Sequence, residues 1–185
     1  YITFSMKENR MEVHEKRAEP WTVTLVDTGE NSMTGGRLAR VAKYIKGDEA
    51  FCFTYGDGVG NIDIQATIDF HKQHGKQATL TATYPPGRFG ALDIKAGQVK
   101  RFKEKPQGDG AMINGGFFVL SPQVLEQLTG DNCIWEQQPL MRLAEDDQLM
   151  AYEHKGFWQP MDTLRDKVYL EELWTQGKAP WKVWL

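Results

Sequence analysis

The chain has 185 residues, 41% hydrophobic and 25% charged, enough for one ordinary soluble domain with a real core. A formal charge of -3 without a basic stripe argues against a nucleic-acid partner. Mean hydropathy is -0.52, no apolar run approaches the roughly 18 residues of a membrane span, and no signal-peptide pattern opens the sequence.

Taken in order, the opening Tyr1-Ile-Thr-Phe-Ser-Met6 reads as a strand already under way, which predicts a chain lacking an N-terminal portion. Trp21–Val26 is rich in β-formers and predicts a strand. In Arg37–Ile45, Leu38, Val41, Ala42 and Ile45 fall at helical spacing, and Gly47-Asp48 ends the helix. Ala50–Tyr55 is a continuous apolar-aromatic run, expected to be a strand buried on both faces. Cys52 lies inside it and is expected to be a buried free thiol. Cys133 stands 81 positions away, so the two form no metal-type pair, and free thiols without a secretion signal predict a cytoplasmic protein.

A second helix is predicted over Ile64–His74, with Asp63 as N-cap and Gly75 just past its end. Ala78–Thr83 alternates like a strand, and Ala91–Phe102 resembles a hairpin turning near Ala96-Gly97. Asn114–Leu120 is a further strand. Ser121-Pro122 opens a short helix, and helices follow near Pro139–Ala144 and Thr163–Gln176. Alternating strands and helices predict one α/β domain, residues 1–185, with a Rossmann-like, mixed but mostly parallel sheet flanked by helices. In such sheets ligands bind beyond the carboxyl ends of the strands.

Five segments there could carry chemistry. Tyr55-Gly56-Asp57-Gly58 sets a carboxylate between glycines past a strand end, which suits a hard cation shared with phosphates. Asp-Gly also marks hairpins, but the helical pattern that follows favours a strand–loop–helix site. Asp162 precedes the final helix, where an N-cap is the simpler role, compatible with metal binding. Glu104-Lys105 could hold sugar hydroxyls and a phosphate, or be a solvated charge run. Asn114 beside Gly115-Gly116 could meet a sugar, or mark a bulge. Ser32-Met-Thr-Gly-Gly-Arg37 opens a helix whose N-terminus favours anions, or is a capped turn. The four histidines, His14, His71, His74 and His154, show no metal or triad spacing; His71 and His74 read as surface or packing residues. Trp174, Trp181 and Trp184 could line an oligomer contact.

Order and spacing together say more than each segment. Asp27-Thr-Gly29, Met33-Thr-Gly-Gly-Arg37, Tyr55-Gly-Asp-Gly58, Pro85-Pro-Gly-Arg-Phe-Gly90, Glu104-Lys-Pro106, Ile113-Asn-Gly-Gly-Phe-Phe118 and Phe157-Trp-Gln-Pro-Met-Asp-Thr163 closely resemble the glucose-1-phosphate cytidylyltransferase branch of the sugar nucleotidylyltransferases. The resemblance runs over essentially the whole chain. It implies a Mg²⁺-dependent reaction of CTP with glucose 1-phosphate, giving CDP-glucose and pyrophosphate for surface-polysaccharide sugars such as those of O-antigen. A homo-oligomer is also expected. Asp57 and Asp162 match the metal-binding aspartates, and Ser32, Arg37 and Gly56 match positions near the nucleotide. Glu104, Lys105 and Asn114 match the sugar-phosphate pocket, with Lys105 in a catalytic role. The family's opening Leu-Ala-Gly-Gly-x-Gly-Thr-Arg-Leu loop and the Lys after it are absent here. A chain without them is expected not to catalyse alone. The competing readings are a non-catalytic remnant that binds sugar phosphate or oligomerises, and a pyrophosphorylase for another nucleotide.

Overall fold

A computed structural model describes residues 2–14, 21–45, 47–87, 91–103 and 111–184. Strands β1 (Ile2–Ser5) and β2 (Arg10–Val13) pair as an antiparallel hairpin. Helix α1 (Thr34–Val41) continues into a 3₁₀ turn over Ala42–Tyr44 and so starts one turn earlier than its apolar spacing suggests. Then follow β3 (Phe51–Thr54), β4 (Gly58–Gly60), α2 (Ile64–His74), β5 (Ala78–Thr83), and the hairpin β6 (Ala91–Lys95) and β7 (Gln98–Lys103). The chain goes on through β8 (Ile113–Leu120), a 3₁₀ helix over Pro122–Gln127 and α3 (Gln138–Glu145). It closes with β9 (Leu149–His154), β10 (Trp158–Pro160) and α4 (Leu164–Thr175).

The central sheet has the order β3-β8-β5-β9. It is mixed, as expected: β8 runs antiparallel to β3 and β5, and β5 runs parallel to β9. The parallel share among the described residues is therefore smaller than the alternation of strands and helices suggests. Leu38 of α1, Phe118 and Leu120 of β8, Trp135, and Leu140 and Leu143 of α3 form the core on one side of this sheet. The Trp135 ring meets Phe53 and Phe118 edge-on, at 6.2 and 5.9 Å between centroids. Burying such aromatic and leucine side chains stabilises by roughly 1.5–3 kcal/mol each.

Local signals explain several elements directly. Asp63 accepts the Ala66 N–H at 2.8 Å and caps α2, while Gly75 leaves it at φ +64°. Ala96 and Gly97 both have positive φ, the turn geometry that matches strand twist in a two-residue hairpin.

Two strand expectations are corrected. Residues 21–26 form no strand: Trp21, Val23 and Leu25 are 76, 70 and 91% exposed, and no pairing involves them among the described residues. β-propensity needs a neighbouring ladder to be realised. The segment at 51–54 is a strand but is not buried on both faces, since Cys52 and Thr54 face outward; among the described residues it pairs with β8 alone. Cys52 is consequently exposed, not buried; Cys133 is the buried thiol.

Beneath the sheet runs a hydrogen-bonded chain that spacing alone did not suggest. The Lys76 N–H donates to His74 Nδ1 at 2.8 Å, so His74 Nε2 carries the proton and donates to Thr79 Oγ1 at 2.7 Å. Thr79 Oγ1 contacts His71 Nδ1 at 2.9 Å, and His71 Nε2 contacts Ser121 Oγ at 3.1 Å. This pins α2 to β5 and to the end of β8 with neutral imidazoles. Burial lowers both histidine pKa values, His71 further through His74 and His74 further through Lys76. With folded values below 6.5, the unfolded chain takes up protons first as pH falls. Stability should therefore be full above about pH 6.5 and decline below it. Thermal unfolding should show a lower Tm at about pH 5.5 than at about pH 7.5, and His74→Asn should flatten that difference. Equal Tm values for the parent protein at the two pH values would contradict the assignment.

Candidate active site

The two aspartates singled out in the sequence, 105 positions apart, are brought to one end of a short ribbon. β4 and β10 pair antiparallel, with Gly58 opposite Pro160 and Gly60 opposite Trp158. One step further, the Met161 N–H donates to the Asp57 carbonyl at 2.8 Å. Adjacent strands lie roughly 4.8 Å apart, so Asp162, the next residue, follows directly beside the Gly56-Asp57 loop. Asp57 and Asp162 are both exposed there.

Asp162 is not the cap of α4, which corrects the simpler reading of its position. Thr163 is the N-cap, in a capping box: its Oγ1 accepts the Asp166 N–H, and Asp166 Oδ2 accepts the Thr163 N–H at 3.0 Å. Buried Gln159 of β10 donates to Asp166 Oδ1 at 2.9 Å, tying the ribbon to the same cap. Asp162 thus sits between two fixed neighbours, Met161 held by Asp57 and Thr163 held by Asp166.

The start of α1 is not an open anion site. Met33 N–H donates to the Asp131 carbonyl at 2.8 Å, and the Gly35 and Gly36 N–H groups donate to the Cys133 carbonyl at 2.9 and 3.2 Å. The glycine pair is there for close backbone approach: a Cβ at Gly36 would lie 2.6 Å from the Asp131 carbonyl oxygen. Arg40 completes the clamp with two bonds to the Asp131 carboxylate, at 2.9 and 2.6 Å. Ser32, buried, donates to the Thr28 carbonyl at 2.6 Å. Arg37 donates to Thr28 Oγ1 at 2.8 Å and to the Glu30 carbonyl at 3.1 Å. Both side chains therefore shape the 28–33 loop, and the guanidinium keeps further donors.

Asn114 opens β8 beside a bulge, where the β5–β8 register shifts between Leu80 and Ala82. Its Oδ1 accepts the Gly116 N–H at 2.9 Å, and its side chain also hydrogen-bonds to Tyr55. Gly116 has φ +77°, and a Cβ there would meet the Tyr55 ring at 2.8 Å. The bulge reading of this glycine pair is thus correct, whatever else Asn114 contacts. Gly56 is different: among the described residues no atom lies within 4 Å of a Cβ built on it.

Sequence reasoning missed Glu136, which has no motif around it. The Tyr55 hydroxyl donates to Glu136 Oε1, and Thr34 Oγ1 donates to Glu136 Oε2 at 2.8 Å. Desolvation, then the bond to this carboxylate, pushes the Tyr55 pKa far above its ordinary value, so the phenol remains a donor. Glu104 and Lys105 lie outside the described residues, immediately after β7. No group of three or more His, Cys, Asp or Glu among the described residues could hold a metal by itself. Of the three tryptophans proposed for a contact, Trp181 stacks at 5.5 Å on Phe157, whereas Trp174 and Trp184 are exposed and 6.4 Å apart.

A mixed sheet flanked by helices, with a separate short ribbon that brings the Asp57 and Asp162 segments side by side, is the frame for comparison with known proteins. Residues 1–162 match the nucleotidyl transferase family, to which the chain belongs. It is 74% identical to the glucose-1-phosphate cytidylyltransferase of Salmonella typhimurium over 183 residues, 99% of this chain and 71% of that protein. The chain belongs to that cytidylyltransferase branch. A mannose-1-phosphate guanyltransferase beta-A of Xenopus laevis is 31% identical over 169 residues, 86% of this chain and 47% of that protein. The crystal structure of HddC from Yersinia pseudotuberculosis shares the fold, with TM-score 0.57 and 22% identity over 78% of this chain and 64% of that one.

The glycines give a direct check on this geometry. Gly36→Ala forces a Cβ into the Asp131 backbone and should destabilise by about 1–3 kcal/mol in urea unfolding, outweighing alanine's better helix propensity. Gly56→Ala should stay within about 0.5 kcal/mol of the parent protein. Equal effects would contradict the contrast between the two sites.

Proposed function

We propose that the protein transfers a cytidylyl group from CTP to glucose 1-phosphate, releasing pyrophosphate and forming CDP-glucose. The observation that carries this is the 74% identity to the Salmonella typhimurium enzyme, with both aspartates at one end of the β4–β10 ribbon. A phosphate oxygen of glucose 1-phosphate attacks the α-phosphorus of CTP, and the bond from that phosphorus to the β-phosphate oxygen breaks. Catalysis of this kind rests on positioning and charge neutralisation.

Two exposed carboxylates on adjacent strand ends fit a hard divalent cation, whose other positions water and phosphate oxygens can fill. Asp57 and Asp162 are the residues to hold Mg²⁺, which when bound neutralises phosphate charge. The loop shaped by Ser32 and Arg37 faces the nucleotide, and Gly56 leaves room for it. Asn114 offers its amide to the sugar. By resemblance, Lys105 binds the sugar phosphate and Glu104 the hydroxyls. No described helix is long and apolar enough to cross a membrane, which agrees with a cytoplasmic enzyme supplying surface-polysaccharide sugars. The hairpin face formed by Ile2, Phe4, Met11 and Val13, each at least 43% exposed, supports assembly into a homo-oligomer.

The test is pyrophosphate release with CTP, UTP, dTTP and GTP and a panel of sugar 1-phosphates. CTP with glucose 1-phosphate should be the preferred pair. Asp57→Asn and Asp162→Asn should each cut turnover by about 100-fold or more, as for loss of a preorganised charge-stabilising group. Comparable use of another nucleotide, or full activity of either variant, would overturn the reading.

A further inference from the structure

Glu136 lies in the turn between buried Trp135 and α3, 81 positions after Tyr55 and 102 after Thr34. Its two carboxylate oxygens are divided between them. Oε1 takes the Tyr55 hydroxyl, on the residue directly before Gly56-Asp57. Oε2 takes the Thr34 hydroxyl at 2.8 Å, on the first residue of α1, within the Ser32–Arg37 segment. Thr34 Oγ1 in turn accepts the Trp135 N–H at 2.9 Å, so the carboxylate is locked to the backbone beside it. On the other side, the Tyr55 N–H donates to the Gly116 carbonyl at 3.3 Å, and its ring lies edge-on to Phe53 and Phe118. Thr34 and Tyr55 are 21 positions apart in sequence, yet one acidic side chain bonds to both. A carboxylate was not required for structure alone: Glu136 is exposed, and an amide or hydroxyl could bond to one loop. The carboxylate accepts from both hydroxyls at once, and bonds to a charged acceptor are roughly twice as strong as neutral ones.

We propose that Glu136 is a positioning residue, which through Tyr55 sets the Gly56-Asp57 loop and through Thr34 sets the Ser32–Arg37 loop, so that metal and nucleotide segments keep one relative placement. This rests on the reading of those two loops as the metal and nucleotide sides of the site. The test is amide hydrogen exchange on this chain, with Mg²⁺·CTP affinity measured by calorimetry in parallel. Glu136→Ala should raise exchange about tenfold at both 55–58 and 33–37, as expected for loss of charge-assisted hydrogen bonds. Tyr55→Phe should raise it only at 55–58, and Thr34→Val only at 33–37. Glu136→Gln, which keeps the shape but loses the charge, should leave both loops less protected than in the parent and more protected than in Glu136→Ala. Adding Tyr55→Phe to Glu136→Ala should cause no further change at 55–58. Where the parent chain binds Mg²⁺·CTP, Glu136→Ala should weaken it about tenfold and the Gln variant by less. Changes confined to one loop in Glu136→Ala, or spread evenly over the core strands, would overturn the proposal. Absence of Mg²⁺·CTP binding by the parent chain would instead count against the proposed function, and the exchange pattern would still decide the role of Glu136.

Discussion

The site depends on the antiparallel pairing of two three-residue strands, Gly58–Gly60 and Trp158–Pro160, extended by the bond from Met161 N–H to the Asp57 carbonyl. Two strands this short have little stability alone. They are held by anchors on every side. The Trp158 indole N–H donates to the Gly115 carbonyl at 2.9 Å, and Asn61 Oδ1 accepts the Phe157 N–H at 2.7 Å. Gln159 reaches the capping box of α4. These contacts fix the backbone of the Asp57 and Asp162 segments side by side, which is the placement that the proposed shared cation requires.

The glycines around the site answer different constraints. Gly36 lets α1 lie against the Asp131 backbone, and Gly116 supplies a positive φ against the Tyr55 ring. Gly115 lies where a Cβ would come within 3.0 Å of the Thr81 carbonyl. Gly56 meets no such demand from the described residues. The same distinction separates Ser32 and Arg37, whose side chains shape their own loop, from a helix terminus open to phosphate. The N–H groups of Met33, Gly35 and Gly36 already have carbonyl partners.

Much of this was legible in the sequence because it is local. The cap of α2 at Asp63, its end at Gly75, the Ala96-Gly97 hairpin and the strand at 113–120 all follow from short-range signals. What was not legible depends on partners. Strand propensity at 21–26 has no neighbouring ladder among the described residues, and the apolar run at 51–54 gives no sign that Cys52 and Thr54 face outward. Asp162 looked like a cap because one position separates it from Thr163, and only the capping-box geometry tells them apart. Glu136 carries no local signal, since its partners are fixed by tertiary folding. The His71–Thr79–His74 chain was likewise invisible to spacing, although the two histidines share a helix face.

The central claim is that Asp57 and Asp162 hold one metal ion together. It is tested most directly by titrating the ¹⁵N-labelled protein with Mn²⁺ in place of Mg²⁺ and following paramagnetic broadening of amide signals. The account predicts that signals at 56–58 and at 161–163 broaden together, at the same Mn²⁺ concentrations. Asp57→Asn or Asp162→Asn alone should weaken the effect at both segments. Broadening confined to one segment, centred elsewhere in the chain, or unchanged in both variants would contradict it.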